Sequence, residues 1–231
     1  MLEPERAHLR RNIIAMKNSP TIVVLAAGRG SRFSGPQHKL AQALGAATVM
    51  GQTIAHAVAS GLPLVVVTTE ALAAEAARWV ARRELVLLPE AAATGERLLG
   101  MGYSLAAGVQ ARPHASGWLV LPADMPLVRP ATLQAVAAAL DQQAVVYAQY
   151  RGRRGHPVGF AAELYSDLVQ LKGDEGARRV MARYPSTGLE LDDPGVLQDV
   201  DTEADLAHLR AAVGASAVNA GAPAAPVVRT R

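Results

Sequence analysis

Residues 21–35, TIVVLAAGRGSRFSG, decide the reading of this chain. The first six, Thr21–Ala26, form an apolar, β-branched run that suits a strand buried on both faces. The remainder breaks into glycine, arginine and serine and cannot continue such a strand. A buried strand running into a glycine-rich, basic loop is how phosphate-binding α/β units begin. Glycines let backbone N–H groups approach an anion, arginines add charge, and the following helix offers its N-terminal dipole. Taken alone, the same loop also reads as a plain strand-to-helix turn with solvated arginines.

The rest of the chain supports the α/β reading. Short Val-, Leu- and Ile-rich runs at 64–68, 85–88, 118–121 and 145–150 predict further buried strands. Helical patterns fall between them, at about 40–59, 71–82, 102–110 and 130–140. The last opens with Pro130, suited to a helix's first turn. Alternation of this kind predicts a three-layer, Rossmann-like, mostly parallel sheet with helices on both faces. Ligands bind such sheets outside the carboxyl ends of the strands, where residues 27–35 lie.

Composition narrows the function classes. The 231 residues are 50% hydrophobic, enough for one sizeable core. A net charge of only +3 and an aromatic content of 4% give no concentrated basic face with stacking rings, so nucleic acid is not an expected partner. No apolar run reaches the ~20 residues needed to span a bilayer, so no membrane partner is expected. With no cysteine, disulfides and thiolate metal sites are excluded, and a cytoplasmic location is the expectation. Residues 1–20 read as an N-terminal extension, with Met16 an alternative start. The domain is expected over 21–213, and the Ala-, Pro- and Gly-rich residues 214–231 as a loose tail.

Two common phosphate motifs can be tested on the loop. G-x-x-x-x-G-K-[ST] fails, because Lys39 lies between His38 and Leu40. G-x-G-x-x-G fails at its third glycine, where Gly28 and Gly30 are followed by Phe33. Instead, LAAGRGSRF followed by Lys39 resembles the signature loop of the molybdenum cofactor nucleotidyltransferase family, the MobA-like NTP transferases. Further segments match in order: GMGYSLAAG near 100–108, PADMP at 122–126, GRRGHPVGF at 152–160, GDEGAR at 173–178 and DVDTEADL at 199–206. The resemblance covers roughly 21–213 and implies the nucleotide-diphospho-sugar transferase type of fold. It also implies transfer of CMP or GMP from a nucleoside triphosphate to molybdopterin, for delivery to a recipient molybdoenzyme or its chaperone. LAAG resembles the cytidylyl branch, so CTP is expected over GTP.

The chemistry follows from position and residue type. Asp124 falls just past an apolar run at the same sheet edge as the glycine loop, a natural anchor for Mg²⁺. Asp201, after Val200, is the expected second metal carboxylate, a role the resemblance also implies. DTEADL reads equally as a capped helix start. Leu25, Ala26, Ala27, Gly28, Arg29, Gly30, Ser31, Arg32 and Lys39 are expected to hold the nucleotide, with Arg32, Lys39 and Asp124 catalytic. Gly102 and Ser104 are expected to read the base, as the resemblance supports; from residues alone the stretch reads equally as an ordinary glycine-capped helix start. The resemblance sets His156 beside the pterin substrate; from residues alone, it reads as an exposed turn histidine. Gly173 and Asp174, before a helix, are also expected on the substrate as a second anion site, and read equally as a plain helix cap. Three other functions remain open here. They are a GTP-using guanylyltransferase, a sugar-phosphate nucleotidyltransferase, and a non-catalytic molybdopterin-binding maturation factor.

Overall fold

The computed structural model of the chain describes residues 19–28, 30, 33, 37–89 and 100–220. Its main sheet contains β1 (Thr21–Ala26), β4 (Leu64–Thr69), β5 (Leu85–Leu88), β6 (Gly117–Pro122), β7 (Val145–Tyr150), β8 (Arg153–Ala161) and β9 (Ser186–Glu190). A separate hairpin pairs β2 (Ala43–Leu44) with β3 (Ala47–Thr48). The sheet order is β5-β4-β1-β6-β8-β7-β9. β1 lies parallel to both β4 and β6, and β7 is parallel to β9. β8 alone runs antiparallel to its neighbours in this sheet, so the expected mostly parallel α/β architecture is the observed one.

Helices cover both faces. α1 (Val49–Ala59), α2 (Glu70–Ala76) and α4 (Pro130–Ala139) lie with one core cluster; α3 (Met101–Gln110), α5 (Tyr165–Leu168) and α6 (Arg178–Arg183) lie with the other. Alternate residues of β1 enter opposite clusters: Ile22 and Val24 pack with Ile54 and Leu133, Val23 with Leu105 and Leu168. Ile22, Val23 and Val24 are fully buried. Burial at about 1.5–3 kcal/mol for each such side chain explains the unbroken apolar run. Among the described residues, no helix is long and apolar enough to cross a membrane.

Several local expectations need correction. The helix expected over 40–59 begins only at Val49. A 3-10 turn (Lys39–Ala41) and the small hairpin precede it, because Gly45 turns at a φ of 61° and Thr48 starts the helix by accepting a hydrogen bond from Gly51 N at 3.0 Å. The helix expected over 71–82 is shorter, Glu70–Ala76. The stretch around His156, read as an exposed turn, is a nine-residue strand filling the gap between β6 and β7. Arg151 and Gly152, with φ of 49° and 72°, make the tight turn that feeds it. The last helix, α7 (Glu203–Ala220), continues past residue 213, where the sequence reading ends the domain.

Candidate active site

The strand order reverses at β1: β4 and β5 extend the sheet on one side, β6 and the remaining strands on the other. The crevice outside the carboxyl ends of β1 and β6 is therefore the topological switch point. Gly28 follows β1 there, and Asp124 follows β6. Three hydrogen bonds tie the segments together. Ala123 N donates to Leu25 O at 3.0 Å, and Thr53 Oγ1 donates to Ala123 O at 2.9 Å. Val200 N donates to Asp124 O at 2.9 Å, drawing the segment before α7 against the same edge.

That last bond delivers the carboxylates. Lys39 Nζ donates to Asp124 Oδ2 at 2.6 Å and to Asp201 Oδ1 at 3.0 Å. These side chains are only 12%, 18% and 21% exposed, so little water screens them. Burial works to lower the Lys39 pKa, but the charges and hydrogen bonds of Asp124 and Asp201 outweigh it. The ammonium is held above its ordinary value and stays charged. The two readings of DTEADL also separate. Thr202 Oγ1 accepts from Asp205 N at 3.2 Å while Asp205 Oδ2 accepts from Thr202 N at 2.7 Å, a reciprocal cap. Capping falls to Thr202, and the Asp201 carboxylate faces Lys39.

Asp199, which sequence reasoning missed, completes a trio. Carboxylate oxygens of Asp124, Asp199 and Asp201 lie within 4.8 Å of one another. Burial first, then the Asp201 and Asp124 charges, push the Asp199 carboxyl above its usual range. A signal was present in DVD: in extended backbone, residues i and i+2 share a face, and Val200 between them is fully buried. The trio fits a divalent cation. Hard oxygen donors converge, and Asp124 Oδ1 is buried without a hydrogen-bond partner among the described residues. Such an orphaned oxygen is costly unless a cation satisfies it.

The other expected residues divide into three groups. Leu25 and Ala26 end β1, and Ala27 is half-buried. Gly28 is exposed, with no atom of the described residues within 4 Å of where a Cβ would stand. Gly30 adopts a φ of 60°. Arg29, Ser31 and Arg32 lie outside the described residues. Gly102 and Ser104 sit on α3 against the turn 173–175. Ser104 Oγ donates to Gly100 O at 3.3 Å, and a Cβ on Gly102 would meet Lys172 O at 2.8 Å. Gly173 and Asp174 belong to that same contact, so these four residues group with one another rather than with the carboxylates. His156 lies half-buried on β8, close enough to feel the Asp124 charge. Burial, helped by the Arg154 charge and opposed by Asp124, pushes its pKa down to about 4, so the ring is neutral at pH 7.

Comparison with known proteins agrees with this geometry. Residues 22–188 match the family model described as the MobA-like NTP transferase domain. The purine catabolism protein PucB of Bacillus subtilis (strain 168) is 31% identical over 119 residues. That match covers 49% of this chain and 58% of PucB. The structure of Rv0371c from Mycobacterium tuberculosis H37Rv is 27% identical with a TM-score of 0.71, over 84% of this chain and 99% of that one. The same mycobacterial protein has been solved in complex with manganese. A nucleotidyl transferase from Methanothermobacter thermautotroptrophicus (Mth528) is 25% identical with a TM-score of 0.70, over 86% and 99% of the two chains. With the family model spanning most of the sheet and a cation–carboxylate centre at its switch point, the chain belongs to the MobA-like NTP transferase family of nucleotidyltransferases.

Proposed function

We propose that the protein transfers CMP from CTP to molybdopterin with Mg²⁺, releasing pyrophosphate and forming the dinucleotide cofactor for a recipient molybdoenzyme. The observation that carries the transfer chemistry is the meeting of Lys39 with Asp124, Asp199 and Asp201 beside the exposed Gly28 that follows β1. The ordered motifs support the molybdopterin assignment, and LAAG at 25–28 favours the cytidylyl branch.

In this reading the terminal phosphate oxygen of molybdopterin attacks the α-phosphorus of CTP. The new P–O bond forms as the bond to the β-phosphate oxygen breaks. That oxygen's electron pair leaves with pyrophosphate, so no general base is required. The glycine loop holds the triphosphate with backbone N–H groups, and Arg32 and Lys39 neutralise the departing pyrophosphate. Asp124 and Asp201, with Asp199 beside them, would hold Mg²⁺, which supplies charge neutralisation at the phosphates. Gly102 and Ser104 serve the base. Neutral His156, with Gly173 and Asp174, serves the pterin side. An uncharged ring there adds no positive charge to compete with Lys39 for Asp124.

The test is pyrophosphate release with molybdopterin and each of the four nucleoside triphosphates under saturating Mg²⁺. Turnover greatest with CTP is expected. Turnover greatest with GTP would move the chain to the guanylyl branch, and turnover only with a sugar phosphate would refute the molybdopterin assignment. CTP and molybdopterin binding with no pyrophosphate released would refute catalysis.

A further inference from the structure

The residue before Lys39 holds both of its ring nitrogens in use. His38 Nδ1 accepts from Leu40 N at 3.2 Å, starting the 3-10 turn that carries Lys39. An accepting Nδ1 places the proton on Nε2, and His38 Nε2 contacts Gly28 O at 2.8 Å. A single neutral tautomer therefore satisfies both bonds, with Nε2–H donating. The ring also lies over Gly30, where a Cβ would stand 3.3 Å from His38 Nε2 and 3.4 Å from Lys39 Cγ. Only a residue without a side chain, at that positive φ, leaves the ring its place.

We infer that His38 is a positioning residue that latches the Gly28 carbonyl at the end of β1 away from bound triphosphate, an inference that rests on the nucleotidyl-transfer reading. A loop that binds an anion through N–H groups must turn its carbonyl oxygens elsewhere, because a carbonyl facing phosphate repels it. His38 holds the Gly28 carbonyl in its own hydrogen bond. The next residue holds Asp124 and Asp201. Two consecutive side chains, 38 and 39, thus join the phosphate loop to the carboxylate centre through one short turn.

Two substitutions separate the latch from the turn it starts. His38→Asn keeps an acceptor near Nδ1 for Leu40 N but is too short to reach Gly28 O. His38→Gln keeps a donor near Nε2 and gives up the acceptor. The measurement is calorimetric binding of CTP and of CMP with Mg²⁺, alongside the melting temperature of each variant. The expected result is CTP affinity about tenfold weaker in His38→Asn, the scale of one lost hydrogen bond. CMP affinity should be unchanged, and His38→Gln should stay within about threefold of wild type for CTP. The opposite order, with Gln weak and Asn normal, would make His38 a cap and overturn the latch. Wild-type CTP affinity in both variants would overturn it as well, leaving the nucleotidyl reading intact. Wild-type protein that binds neither CTP nor GTP would overturn that reading and the latch together.

Discussion

Replacing Lys39 by methionine should destabilise the metal-free protein and tighten its hold on metal while slowing its chemistry. Methionine keeps most of the stem's volume and removes the charge. At 2.6 and 3.0 Å, the two ion pairs are each worth about 6 kcal/mol before desolvation, using an effective dielectric of about 20. Most of that offsets the desolvation of three half-buried groups, so the net loss is about 3 kcal/mol, much of it repulsion among the carboxylates left behind. For a domain of this size the melting temperature should fall by roughly 6–12 °C in chelator. Added Mn²⁺ or Mg²⁺ supplies the missing charge, so it should raise the melting temperature more in Lys39→Met than in wild type. Metal alone should bind roughly tenfold or more tightly to the variant, since no ammonium has to be displaced. Thermal scans with and without chelator, and calorimetric titration with Mn²⁺, read both effects. A variant as stable as wild type in chelator and no better at binding Mn²⁺ would refute the ion-paired centre.

Three other outcomes are expected. Asp124→Asn should lower turnover by ~10²–10⁴, about 3–5 kcal/mol of barrier, as measured by pyrophosphate release under saturating metal. More than half of wild-type activity would make Asp124 a turn residue. Asp193 is buried and accepts hydrogen bonds from Arg129 N at 2.9 Å, Thr132 Oγ1 at 2.6 Å and Gly195 N at 3.0 Å. Asp193→Ala should therefore cost about 3 kcal/mol in urea unfolding, and a loss below about 1 kcal/mol would contradict that network. His156 has its pKa pushed down from 6.5 to about 4 in the fold, so the unfolded chain binds the proton more readily between those values. Its contribution is fully present above pH 6.5 and is lost as pH falls towards 4; in chelator, His156→Gln should flatten that part of the stability–pH curve.

The strands that build the crevice were legible because they are buried on both faces. In β1 and β6 a continuous apolar run has no other use, and each ends two residues before the crevice residue that follows it, Gly28 or Asp124. β8 was not legible, because Arg153, Arg154 and His156 occupy its first half and its apolar half is only Pro157–Ala161. β9, STGLE, is a polar edge strand that its pairing with β7 alone defines. The same limit applies at the site. Position along the sheet was enough to put Asp124 at the crevice, whereas whether Asp201 caps the helix or faces Lys39 depended on Thr202, whose cap appears only in three dimensions. For Lys39, the intervening residues hid its reach. A 3-10 turn started by His38 points it back to the carboxylates, and no periodicity in 33–38 encodes that return.

The Lys39 contacts span 85 residues to Asp124 and 162 residues to Asp201, which sets an order on biosynthesis. At about 5–20 residues per second, roughly 10–30 s separate translation of Lys39 from that of its second partner. For roughly 2–6 s of that interval the nascent sheet has β6 as an open edge, because about 30 residues separate the end of β6 from the start of β8, its antiparallel partner. A growing chain is therefore exposed to edge-to-edge pairing with its neighbours on the polysome while Asp199 and Asp201 are still to be made. The ion-paired centre cannot close before Asp201 is made, and dependence on chaperones should be greatest while the β6 edge is open.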